Sequence, residues 1–227
     1  KDVMRRLLSL GAPMGLANLL ASAGATAFQF AVNSLGSATV AAVAAGDRLF
    51  SMTVMPAMPL GGAMEVFSGQ NYGAHRPDRI RAGAIRLYLL MLGFLTPVTA
   101  LLMAFSRPLI AMLIAGVTPE LLDLASRYML WCTLSVPFLC ANVVFKNVLQ
   151  GIGMPQKAVL ASVYDVLVRI ACAMFGVAKF GFSAICAANP AGWALAAASL
   201  IIRCQAVSAR SQREKHPTRA AQAPVRG

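Results

Sequence analysis

The 227-residue chain is 58% hydrophobic and only 12% charged, with a mean hydropathy of +0.68. A soluble domain carries roughly 25% charged residues, so these values exclude one and fit an all-α membrane protein of about six spans. The formal charge of +12 falls in short clusters between apolar runs and in the tail, with no aromatic-interleaved basic stripe, which points to orientation in a bilayer and not to nucleic acid.

After the basic opening Lys1, Arg5 and Arg6, an uncharged run from Leu7 to Gly46 holds a first span over 8–33, an outer turn at Asn33-Ser-Leu-Gly36, and the start of the next segment. The second span, 49–68, contains Pro56 and Pro59, which a membrane helix tolerates where its neighbours re-satisfy the backbone. A polar loop from Gly69 to Arg81 leads to the third span, 85–105. The amphipathic stretch Pro108 to Leu124 precedes the fourth, 129–149, and the turn Leu149-Gln-Gly-Ile-Gly-Met-Pro155 introduces the fifth, 158–178. The Ala-rich run 187–203 is the sixth and shortest. Residues 1–205 are thus expected to form one six-helix transmembrane lobe, and 206–227, charged and with few large apolar residues, a disordered basic cytoplasmic tail. Beginning at Lys1 with no cleavable leader pattern, the chain reads as part of a longer one.

Positive charge is distributed unequally between alternate loops. One side receives Lys1, Arg5 and Arg6, then Arg76, Arg79, Arg81 and Arg86, then Lys146 and Lys157, then the basic tail; the other receives only Arg107, Arg127 and Lys179. The asymmetry places both termini in the cytoplasm and supports an even number of spans.

The first span carries Gly11, Gly15, Asn18, Ser22, Thr26, Gln29, Asn33 and Gly36 at intervals of three or four. At about 100° per residue these form one stripe under about 90° wide. Small residues in this pattern can serve helix packing alone, but Asn18, Gln29 and Asn33 are bulkier and favour a water-filled cavity. Asp165 and Arg169 stand one turn apart on the fifth span, acid before base, the favourable orientation for an intrahelical pair, and Ser162 and Cys172 share their face. That pair is read evenly as a structural clip or a functional site. Glu65 has no basic residue three or four positions away, and an unpaired carboxylate at depth tends to take a proton, bind a cation or face water. Asp47 and Arg48 are expected at the interface. On the fourth span Ser135, Asn142 and Lys146 share a face; Lys146 can snorkel, which leaves Asn142 as the cavity candidate. No GxSxG, phosphate loop or metal-type His spacing occurs, and the five cysteines read as apolar packing residues. No enzymatic activity is expected.

Gly11-Ala-Pro-Met-Gly15, Asn33-Ser-Leu-Gly36 with Val40-Ala-Ala-Val-Ala-Ala45, Gly69-Gln-Asn-Tyr-Gly-Ala74 with Asp78-Arg79, Leu149-Gln-Gly-Ile-Gly153, and the spacing of Asp165 and Arg169 together resemble the MATE multidrug and toxic-compound extrusion transporters, over roughly Leu8 to Gly176. The resemblance implies the C-terminal six-helix lobe of a twelve-helix transporter in the plasma (inner) membrane, facing an N-terminal lobe of the same parent chain. It implies efflux of cationic amphipathic small molecules by alternating access, with no cofactor beyond a coupling ion, Na+ or H+. Asn18, Ser22, Thr26, Gln29, Asn33, Glu65, Asn142, Asp165 and Arg169 are the candidate pathway residues. The family's cation-binding acids in this lobe lie, in some branches, on its first and fourth helices, which here carry Asn18, Gln29 and Asn142 instead. Two alternatives stand beside this reading. A lipid-linked precursor flippase should show a more cationic cavity than Arg48 and Arg169 supply. A membrane scaffold or intramembrane enzyme would need a nucleophile that Asp165 and Arg169 lack.

Overall fold

The computed structural model describes residues 2–114 and 116–215, and the regular elements among them are all helical. In chain order they are α1 (Asp2–Ser34), α2 (Ser37–Val54), α3 (Ala57–Gly73), α4 (Pro77–Ala104), α5 (Ser106–Leu113), α6 (Pro119–Gly151), α7 (Pro155–Ala171), a π turn (Cys172–Gly176), α8 (Val177–Phe180) and α9 (Phe182–Lys215). End to end they make six rods: α1, α2 with α3, α4, α6, α7 through the π turn to α8, and α9, with the short α5 between the third and fourth. Pro77, Pro119 and Pro155 open α4, α6 and α7, where a fixed φ is an advantage and the missing N–H is not needed. Thr118 caps α6, its hydroxyl accepting the Leu121 N–H at 3.3 Å.

Proline chemistry explains the second rod. Pro56 and Pro59 lack the N–H groups that the Met52 and Met55 carbonyls would accept. Met55 and Pro56 nevertheless keep right-handed helical dihedrals, so α2 and α3 form one kinked rod and not a hairpin. The polar loop expected from Gly69 onward is instead largely helix. α3 runs to Gly73 and α4 starts at Pro77, leaving only a short turn around Ala74, His75 and Arg76. α9 continues to Lys215, into the stretch expected to be disordered, because neither Gly nor Pro interrupts 206–215; residues 216–227 lie outside the described residues.

By length and composition, four helices among the described residues can cross a membrane: Pro77–Ala104, Pro119–Gly151, Pro155–Phe180 and Phe182–Ala206. The Pro56 kink divides the second rod into pieces of 18 and 17 residues. α4 turns Leu89, Leu90, Phe94 and Leu101 outward, as a lipid-facing helix does.

α6 is the central rod, packed by α9, α3, α4 and α2. Tyr128, Met129, Cys132, Val136, Leu139, Cys140 and Val144 are all buried along it. Its end is fixed by a backbone crossing. Gly151 of α6 sits directly on the Glu65 carbonyl of α3, and a Cβ added at Gly69 would stand 3.0 Å from the Gly151 carbonyl oxygen. The two glycine-bearing motifs of the sequence, Gly69-Gln-Asn-Tyr-Gly and Leu149-Gln-Gly-Ile-Gly, therefore meet each other. A side chain at Gly151 would meet backbone that cannot rotate aside. Gly151→Val should lower the thermal unfolding midpoint in detergent, at a cost of about 1–3 kcal/mol; an unchanged midpoint would mean that the backbones do not touch.

Candidate substrate cleft

A cleft of about 410 Å³ opens between α3, α6, α7 and α9. Met58 and Gly62 of α3 form one apolar wall. α6 supplies Asn142, Lys146, Asn147 and Gln150, α7 supplies Ser162 and Asp165, and α9 supplies Trp193 and Ala196. Asn142, Lys146 and Gln150 recur every fourth residue, so helical geometry puts them on one face. The Asn142 amide donates to the Trp193 carbonyl across the cleft at 2.8 Å, and also to Phe138 O within its own helix at 3.3 Å. That bond ties α6 to α9 at the height of the tryptophan.

Asp165 and Arg169 form the ion pair that their spacing predicts, Nε to Oδ1 at 3.2 Å, with about a fifth of each side chain exposed. Two neighbours position it. Gly192 of α9 packs against the Asp165 carboxylate so closely that no Cβ would fit. The Arg169 guanidinium lies 5.8 Å from the Trp193 ring centroid, a cation–π distance. Trp193 is itself stacked with Phe50 of α2, at 5.9 Å and 24°. The π turn follows one residue beyond α7, and Gly176 at its end packs against Ala184 of α9.

The stripe on α1 lies elsewhere. Phe28, Ala31 and Val32 are buried and Gly24 abuts Val166 of α7, so the apolar face of α1 packs onto the bundle. Asn18, Ser22, Thr26, Gln29 and Asn33 are exposed on the opposite face. Thr26 donates to Ser22 O at 3.0 Å and Gln29 to Asn33 Oδ1 at 2.9 Å. The stripe therefore does not pack helices within this lobe. Glu65 is half-buried on α3 beside the Gly151 crossing and does not line the cleft.

The structure also assembles a cluster whose polar members are spread over three helices. Tyr128 Oη of α6 donates to Asp47 Oδ1 of α2 at 2.6 Å, and Asn189 Nδ2 of α9 donates to Tyr128 Oη at 3.1 Å. Asp47 itself is exposed on α2, and this bond ties it to the buried Tyr128 phenol. Asn189, an amide inside an Ala-rich apolar run, was the available signal, since a polar residue at membrane depth needs a partner.

If Trp193 and Gly192 hold the ion pair in place, losing one charge should cost more than losing both. Asp165→Leu alone should destabilise the chain more than Asp165→Leu with Arg169→Leu, by about 1–3 kcal/mol in a double-mutant cycle; additive losses would remove the pairing.

Three comparisons with known proteins bear on the family and the fold. The MatE family model matches residues 13–175. The chain is 28% identical over 155 residues to the Probable multidrug resistance protein YpnP of Bacillus subtilis, covering 68% of this chain and 34% of that protein. It is 24% identical over 176 residues to an FAD transporter of Shewanella oneidensis, covering 78% and 38%. The crystal structure of the Vibrio cholerae MATE transporter VcmN in its bent form superposes with a TM-score of 0.81 at 18% identity, covering 90% of this chain and 47% of that one, a likeness of fold. The chain thus spans about a third of the length of these curated relatives and about half of the solved transporter.

Proposed function

Because the chain belongs to the MatE family, we propose that it is one lobe of a secondary transporter that exports cationic amphipathic small molecules in exchange for Na+ or H+, by alternating access. MatE is a transporter family, and its members are integral membrane proteins. The finer reading rests on one observation beside the cleft, the seat of Arg169 against two residues that line it, Asp165 and Trp193. A cation already sits there, between the Asp165 carboxylate and the Trp193 ring. An acid and an aromatic face are what recognise an organic cation, and a flat cationic substrate that takes this seat must displace the guanidinium. The apolar wall of Met58 and Gly62 accommodates its hydrophobic body.

Three further features support the two-lobe arrangement. The polar stripe of α1 is exposed on this lobe, where a facing N-terminal lobe of the same parent chain would close a wet path over it. The relatives are about twice as long as the chain. The unequal basic loops support cytoplasmic termini for the lobe, in the plasma (inner) membrane where the proposed export would occur. On this reading Asn18, Ser22, Thr26, Gln29 and Asn33 line the path, Asn142 and Asp165 line the cleft with Arg169 held beside it, and Glu65 stands near its α3 wall.

One relative favours a second reading. An anionic flavin dinucleotide, the cargo named for the Shewanella protein, would pair its phosphates with Lys146 and lay its ring on Trp193. Competition separates the two readings: tetraphenylphosphonium, and not FAD, should displace a bound cationic dye.

In cells expressing the transporter, dye efflux should fall with Asp165→Asn and with Asn18→Leu. Trp193→Ala should weaken dye binding about 2- to 30-fold, the range of a cation–π contact. Efflux unaltered in all three variants would take cleft and stripe off the path, and transport by the 227-residue chain alone in proteoliposomes would overturn the two-lobe arrangement.

A further inference from the structure

The lipid-facing side of α4 begins with two arginines that the rest of the chain does not use. Ile80, Ala84, Met91, Leu95 and Thr99 are the buried side of this helix. Arg79 and Arg86 stand opposite, and both are exposed. Their spacing brings them within about 20° of each other round the axis and about 10.5 Å apart along it. Neither makes an ion pair or a side-chain hydrogen bond among the described residues. Asp78, the acid nearest them in sequence, is turned about 100° from Arg79 and pairs with neither.

Helix geometry brings the two guanidiniums together. Side chains lean toward the N-terminal end of their helix, here the basic end. The Arg86 head is thus carried toward Arg79 while its stem stays on apolar surface. Phe67 of α3 packs on Gly83, between the two arginines, and walls one side of the space. Beyond Arg86 the same face continues as Leu90, Gly93, Phe94, Pro97 and Leu101, all exposed. Gly93 leaves a furrow in it, since a Cβ added there would meet nothing within 4 Å. Two unpaired cations therefore stand at the head of an apolar furrow on a helix that faces lipid.

We propose that this face binds one anionic phospholipid, its phosphate held by Arg79 and Arg86 and an acyl chain laid along Gly93 and Pro97. A planar guanidinium pairs with two phosphate oxygens at once. A choline headgroup would press its own cation against the same arginines, so the seat prefers a glycerol headgroup. Arg81 lies about 160° round the axis from Arg79. It carries the same charge at the same end of α4 but stands off the furrow. It therefore separates a seated lipid from the general attraction of a basic segment for an anionic surface. The seat belongs to the outer wall of the lobe and is independent of the cargo.

The test is native mass spectrometry of the 227-residue chain, released from detergent micelles holding equal amounts of phosphatidylglycerol and phosphatidylcholine. One phosphatidylglycerol should stay bound, preferred about tenfold over phosphatidylcholine. Arg79→Gln and Arg86→Gln should each remove most of that preference, and Arg81→Gln should leave it. Gly93→Leu keeps every charge, fills the furrow and should lower phosphatidylglycerol retention. Equal retention of the two lipids overturns the seat, as does an equal loss in all three arginine variants. Should the arginine variants fold poorly, Gly93→Leu decides alone, and undiminished retention in it overturns the seat. Displacement of the lipid by excess free glycerol phosphate would give the arginines to a phosphate-bearing solute and overturn the lipid assignment.

Discussion

Low dielectric makes an isolated charge very costly, and this lobe is organised around satisfying one such charge. Arg169 is carried on an apolar helix and cannot be left alone. Asp165 answers it from one turn earlier, Trp193 from the next rod, and Gly192 opens the space for the carboxylate. Each partner imposes a condition on the rest. α9 must approach α7 closely, the tryptophan must lie flat against Phe50, and α6 must reach across through Asn142 to hold the tryptophan's backbone. Four rods are therefore positioned by the needs of one guanidinium. A pair satisfied in this way is neutral overall, which is why it can stand at a cleft open to a solute without destabilising the helix that bears it.

A division of labour among the rods follows. α6 is buried except along one face, where Arg127, Leu130, Trp131, Leu134 and Phe138 are exposed, and it serves as the post around which the others are arranged. α4 faces outward with large apolar side chains. α1 belongs to neither class. Its apolar side is spent on α7, so its amides and hydroxyls are left facing away from the lobe, bonded to one another where they can be. A helix that turns its hydrophilic side outward in lipid needs a second wet or polar surface opposite.

The helices and the Asp165–Arg169 pair were legible in the sequence because both are local: apolar runs fix the first, and four-residue spacing fixes the second. The stripe on α1 was legible as a stripe, but its direction was not, since periodicity says which residues share a face and not what that face meets. The share of Trp193 in the cleft, and the link from Asp47 to Tyr128 and Asn189, depend on contacts between residues 24 to 143 positions apart. No spacing rule reaches that far. The polar stretch after Gly69 misled for another reason. Gln70 and Asn71 look like loop residues, yet Asn71 bonds back to Phe67 O, and the helix continues beneath them.

Where α3 crosses α6 at Gly69 and Gly151, main chain touches main chain with no side chains between. Interlocked side chains resist rotation, because rotamers must be unlocked before one helix can turn on another. A bare backbone contact resists only closer approach. The crossing thus sets how near α3 and α6 can come at one end, and about two turns earlier Gly61, seated against Val143 and Asn147, sets it again, so the Met58 and Gly62 wall of the cleft is held at a fixed depth from α6.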